Sequence, residues 1–128
     1  MIPKLALLSL SLPLISALGC YTEGAKFSDL KNGPDYDNVD DSIQQFCKYI
    51  IAGPFNPNGT LAWCYQFDNH YIMVISVTNT GTSAATLNAP DCFADFEIER
   101  SACVYGSRQQ YGDFLLDVDP NYGDCPGP

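Results

Sequence analysis

The sequence predicts an α+β domain of order β-α-β-β-α-β, a four-stranded antiparallel sheet with two helices on one face and three disulfides. Three observations predict it. Val39, Ile43, Phe46, Cys47 and Ile50 recur every three or four residues, which is helical spacing. Two neighbouring stretches, residues 60–67 and 71–78, read as a β-hairpin. Six cysteines, at 20, 47, 64, 92, 103 and 125, form an even set in a chain of only 128 residues.

Each element can be justified in chain order. Residues 20–23 are short and extended, and a loop rich in Gly, Asp and Asn follows over 24–37. The first helix takes Asp37 or Asn38 as its cap and Asp40 and Asp41 in its first turn, where acids suit the helix dipole; Gly53-Pro54 ends it. In 60–67 Leu61, Trp63, Tyr65 and Phe67 alternate, whereas 71–78 is β-branched and apolar. A second helix starts near Asn88 and Pro90 and runs through Phe93 and Phe96 towards Cys103. The last strand covers 113–119, with Phe114, Leu116 and Val118 on one face. One pairing can be argued against: eleven helical residues at ~1.5 Å each hold Cys92 and Cys103 roughly 16 Å apart, beyond disulfide reach. The other pairings stay open.

A two-residue turn at Asn69-His70, both tolerant of left-handed backbone, sets a register with Phe67 facing Ile72, Tyr65 facing Val74 and Trp63 facing Ser76. Ala62, Cys64, Met73, Ile75 and Val77 then share the opposite face. Both faces are apolar, yet two helices cover only one. Either the helices take the small-residue face and leave Trp63 and Tyr65 for a ligand or second subunit, or loops cover the aromatic face. A one-residue change in turn length alters which residues pair.

Residues 1–19 read as an export leader: Lys4, an apolar run from Leu5 to Leu18, and small residues Ala17 and Gly19 placed for cleavage before Cys20. The run is shorter than the roughly 20 residues that span a bilayer, so no membrane insertion is expected. A lipoprotein signal also ends in cysteine, but it wants a large aliphatic residue where Ala17 stands, and lipidation would strand one disulfide partner. The expected mature unit is 20–128, secreted and extracellular. Fifteen acids stand against six bases, and the net charge of -9 opposes binding to phosphate backbones. Asn58-Gly59-Thr60 is a glycosylation sequon in a turn-forming stretch.

No catalytic set is legible. His70 is the single histidine, and no Ser/His arrangement exists. Glu97 and Glu99 diverge on a helix, while Asp117 and Asp119 share the wet face of a strand. Asp117-x-Asp119-x-Asn121 resembles the start of a calcium loop, but its glycine is one place late and Pro128 stands where the closing glutamate belongs, so a turn is the simpler reading. No metal or cofactor is expected. The remaining lead is aromatic: Trp63 and Tyr65 with Asp68, Asn69 and His70 at the hairpin end combine flat rings with short polar groups, the chemistry that sugars need.

Cys20-Tyr21-Thr22-Glu23-Gly24, Cys64-Tyr65, Asp91-Cys92-Phe93, Phe96-Glu97-Ile98 before Cys103, and Asp119-Pro120-Asn121-Tyr122-Gly123-Asp124-Cys125, in that order, resemble the Y-three-like family of small secreted fungal glycan-binding proteins, typified by the shaggy ink-cap mushroom lectin. The resemblance spans nearly all of 20–125. The stretch Val104-Tyr105-Gly106-Ser107-Arg108 departs from the family's glycine-rich linker. The resemblance implies a fungal source, an α/β sandwich, non-catalytic carbohydrate binding and a homodimer paired through a sheet edge. The competing reading is a secreted effector or killer-toxin-like protein that binds a host or competitor protein.

Overall fold

The computed structural model describes residues 19–31 and 38–127. Except for Gly19, the expected leader lies outside them. Five strands form one antiparallel sheet: β1 (Gly19–Cys20), β2 (Thr60–Gln66), β3 (Tyr71–Asn79), β4 (Ser107–Tyr111) and β5 (Phe114–Tyr122), in the order β1-β4-β5-β3-β2. Helix α1 (Val39–Gln45) runs on into a wider π turn over Phe46–Ile50, and α2 spans Ala89–Ala102. Both helices begin on asparagine caps. Asn38 accepts from the Asp41 N–H at 2.8 Å and Asn88 from the Asp91 N–H at 2.9 Å, each satisfying an orphan donor of the first turn.

The sheet is therefore five-stranded, not four-stranded. The strand missing from the expected order is β4, whose Ser-Arg-Gln-Gln-Tyr carries no aliphatic residue. It forms because Gly112, at φ 57°, closes a two-residue turn onto β5. Strand β5 also runs three residues past the expected end, through Pro120. Proline is tolerated there because β4 stops opposite Val118, so the missing N–H faces no ladder partner. Gly106 makes room for it: a Cβ there would sit 2.7 Å from the Pro120 ring and 2.3 Å from the Val118 carbonyl oxygen.

The hairpin register also differs from the expected one. Asp68–His70 make a three-residue turn, with His70 in the left-handed region at φ 62° and the Phe67 N–H bonded to the Tyr71 carbonyl at 2.8 Å. Tyr65 thus faces Met73, Trp63 faces Ile75 and Leu61 faces Val77. The one-residue slip brings Met73, Ile75 and Val77 to the aromatic face, so the helices pack on that face. Tyr65, Met73, Ile75, Val77, Leu116 and Val118 meet Ile43, Phe46, Ile51 and Phe96, all without exposed surface, and Phe46 and Phe96 contact edge-on with centroids 6.1 Å apart. The uncovered face carries Ala62, Cys64, Gln66, Ile72, Val74, Ser76, Leu115, Asp117, Asp119 and Asn121, as the paired registers require.

The disulfides are Cys20–Cys103, Cys47–Cys92 and Cys64–Cys125, so Cys92 and Cys103 do bond elsewhere. The first holds β1 to the end of α2, the second joins the two helices, and the third ties the C-terminal segment to the open face of β2. Among the described residues no helix is long and apolar enough to cross a membrane.

Candidate functional site

The uncovered sheet face is not flat. After β1 the chain turns over the end of β5, and a cleft of about 500 Å³ opens between them, lined by Cys20, Tyr21, Thr22, Glu23, Gly24, Asp119 and Asn121. Such a volume lies within the ordinary range of small-molecule sites. Two contacts hold the overhanging segment. The Tyr21 N–H donates to the Gly106 carbonyl at 2.9 Å, and the Tyr21 hydroxyl donates to the Asp117 carboxylate, 2.9 Å from each oxygen. Gly24, at φ 105°, takes a backbone conformation that side-chain-bearing residues rarely adopt, and so turns the segment over β5.

The electrostatics are acidic and partly dehydrated. Burial pushes the Asp117 carboxyl above the usual carboxylate range, against the opposing pull of the Tyr21 hydrogen bond and of Arg108, its cross-strand partner. Burial also raises Asp119, and the neighbouring Asp117 charge adds to the effect. Burial and the bond to Asp117 likewise raise the Tyr21 phenol, so it stays a hydrogen-bond donor at any physiological pH. Across the register from Asp119 stands Val74, 40% exposed, and across from Asn121 stands Ile72. The face thus sets acceptors, an amide and a phenol next to aliphatic carbon. That mixture suits a ligand with many hydroxyls and one apolar side.

Of the residues singled out from sequence, Asp68, Asn69 and His70 share one turn, whereas Trp63 and Tyr65 lie apart from it in β2. Tyr65 is a correction: its ring is wholly buried against Met73 and offers nothing to a ligand. Trp63 keeps 48% of its surface, but it sits five residues before the first turn residue, Asp68, about 17 Å along the strand. Asp68 and His70 are exposed at the turn itself, where Asn69 provides the middle residue. His70 Nδ1 lies 2.8 Å from Asp124, whose hydrogen bond and charge raise the imidazole's pKa. Gln66 accepts from the Cys125 N–H at 2.8 Å, so the turn is latched to the C-terminal segment beside the Cys64–Cys125 bridge. Tyr71 and Tyr122 pack with centroids 5.3 Å apart at the same end, with Tyr122 largely exposed.

Sequence reasoning missed Tyr21, Thr22, Glu23 and Asn121 as one wall and floor. The visible signal was the alternation Asp117, Asp119, Asn121 on a wet face; its partner segment lies almost a hundred residues earlier. Glu97 and Glu99 diverge as expected, Glu97 towards Asp40 of α1 and Glu99 towards Ser107 beneath the sheet. Among the described residues no group of three or more His, Cys, Asp or Glu side chains is placed to hold a metal ion.

A disulfide-stapled α/β sandwich with a polar cleft on its one uncovered sheet face is the build of a small binding module. Residues 38–125 match the model of the glycan binding domain Y3, and the chain belongs to that family. It is also similar to the antiviral protein CAP of Coprinus comatus, at 26% identity over 87 residues, which is 65% of this chain and 86% of that protein. The matched span contains Asp117, Asp119, Asn121 and five of the six cysteines; the Tyr21 wall precedes it.

Proposed function

We propose that the protein binds carbohydrate without turning it over, and that the site is the cleft between residues 20–24 and the end of β5. The observation that carries the placement is the cleft itself: Tyr21, Glu23, Asp119 and Asn121 line one space. Carboxylate and amide oxygens accept from sugar hydroxyls, and Val74 and Ile72 offer carbon to a pyranose C–H face. Membership in a glycan-binding family supports the ligand class, and three disulfides support action outside the cell.

A glycan microarray with the oxidised protein tests the class, and the expected result is a cluster of hits sharing one terminal sugar. A blank array shifts the weight to a host or competitor protein as partner. Two substitutions then test the place. Asp119→Ala removes a charged hydrogen-bond acceptor from the cleft and is expected to weaken binding about tenfold or more, since such bonds contribute roughly 1.5–3 kcal/mol. Trp63→Ala, on the other side of the sheet, is expected to leave affinity within about twofold. The reverse pattern, read by calorimetry on folded variants, moves the site to the hairpin.

A further inference from the structure

We infer that the cleft accepts uncharged sugars and rejects acidic ones, and that Asp119 is the residue that sets this preference. The inference rests on the carbohydrate reading of the cleft and narrows the glycans it can take. Among the described residues that line the space, Glu23 and Asp119 carry charge, both negative, and none is a lysine, arginine or histidine. Glu23 is exposed on the overhanging segment, whereas Asp119 is half-buried on the sheet beneath it. The Asp119 carboxylate has no hydrogen-bond or ion-pair partner among the described residues.

The groups that could soften that charge are engaged elsewhere. The Tyr21 hydroxyl donates its one hydrogen to Asp117, 2.9 Å from each carboxylate oxygen, and so has none for an incoming anion. Arg108 stands cross-strand from Asp117 on β4, exposed and outside the lining. Lys26, the next base along the overhanging segment, holds its ammonium 5.9 Å from the Tyr105 ring centroid.

Two carboxylates already share this face of β5, about 7 Å apart along the strand. Burial first, and the Asp117 charge second, raise the Asp119 carboxyl. A further negative charge brought into the same partly dehydrated space meets that field at closer range, where like charges repel several-fold more strongly than in bulk water. The net charge of -9 adds a longer-ranged repulsion. A sugar hydroxyl, by contrast, donates to Asp119 and satisfies a carboxylate that has no donor of its own, in a hydrogen bond of the stronger, charge-assisted kind. The group that holds neutral ligands is thus the one that turns acidic ligands away.

The test is an array that prints each neutral oligosaccharide beside its sulfated and its sialylated form, titrated with the oxidised protein to read half-saturating concentrations. At 0.1 M salt the neutral member of each hit set is expected to bind about tenfold more tightly or better. At 1 M salt, where screening acts within about 3 Å, the ratio is expected to shrink to about threefold or less. Asp119→Asn keeps an acceptor oxygen and removes the charge, and is expected to narrow the low-salt ratio about fivefold. Each ratio is internal to one protein, so a general loss of affinity cancels. Asp113→Asn makes the same change in net charge at the exposed turn between β4 and β5, about 20 Å along β5 from Asp119, and is expected to leave the ratio within about twofold. Should Asp119→Asn fail to fold, Glu23→Gln on the exposed segment takes its place, with an expected narrowing of about threefold. Acidic glycans that bind as well as their neutral forms overturn the inference and leave the carbohydrate reading standing. A preference that survives both 1 M salt and Asp119→Asn is steric and overturns it equally. An array blank for neutral and acidic forms alike removes the carbohydrate reading and this inference with it.

Discussion

The melting temperature of this domain is expected to fall as pH rises from 5 to 8, and Glu99→Gln is expected to remove the largest share of that fall. Glu99 lies on the inner face of α2 with no exposed surface. One carboxyl oxygen takes the Ser107 hydroxyl at 2.5 Å; the other is buried without a hydrogen-bond partner among the described residues. Burial, with Asp117 and Asp95 adding to it, pushes the carboxyl up to about 8, although the Ser107 bond favours the charged form. The ordinary value is 4.5. Between those values the folded chain keeps a proton that the unfolded chain has released, so each step up in pH favours unfolding by as much as about 1.4 kcal/mol per unit. Below about 4.5 both states are protonated and the penalty is absent.

The neighbouring groups share that sign. Glu97 is raised to about 7, first by burial and then by its hydrogen bond to Asp40 across the helix pair. Asp95, Asp117 and Asp119 are raised by burial. His70 is raised by Asp124, and a raised base contributes stability that is lost as pH climbs through its folded value. At pH 8 the Glu99→Gln variant, uncharged at that position, is expected to gain about 2 kcal/mol, or on the order of 10 °C, and at pH 5 to match the parent closely. Thermal melts followed by circular dichroism at several pH values decide it. A parent melting point that is flat or rises from pH 5 to 8 sinks the account, as does a variant with the parent's slope.

What sequence pattern could reveal is set by the range of the forces involved. The first helix was legible because Val39, Ile43, Phe46, Cys47 and Ile50 state its face locally, and the two asparagine caps sit where capping chemistry puts them. The widening to a π turn at Phe46–Ile50 left no mark in that periodicity. The two hairpin strands were legible, but their register hinged on whether Asp68 belongs to the turn, and that single residue decides which face of the sheet is core. β4 was not legible, since Arg108, Gln109 and Gln110 show no apolar alternation; its stability comes from β5 on one side and β1 on the other. The cleft failed for a related reason. Tyr21 reaches Asp117 because Cys20 is bonded to Cys103 and paired with Ser107, and none of these contacts is local.

Replacing Cys47 and Cys92 together with alanine is expected to cost more stability than removing either other bridge. The chain-entropy account alone orders the three differently. Sequence separations of 83, 61 and 45 residues rank Cys20–Cys103 first and Cys47–Cys92 last, each close to 4 kcal/mol. Because the cost grows only with the logarithm of loop length, the whole spread is about 0.5 kcal/mol. Native-state packing is therefore free to reverse the order. Cys47 and Cys92 are 3% and 0% exposed and form part of the core shared by the two helices, so losing both sulfurs leaves a void there, at about 1 kcal/mol or more. Cys64–Cys125 instead secures a terminal segment that also has the Gln66 and His70 contacts, and Cys20 is only partly buried. The Cys47→Ala/Cys92→Ala protein is thus expected to lose about 5 kcal/mol, enough to leave a domain of this size largely unfolded at 37 °C. Denaturant titrations of the three double variants give the ranking. If the Cys47/Cys92 variant proves the least destabilised, the helix bridge acts only through the unfolded chain, and the core reading of that pair fails.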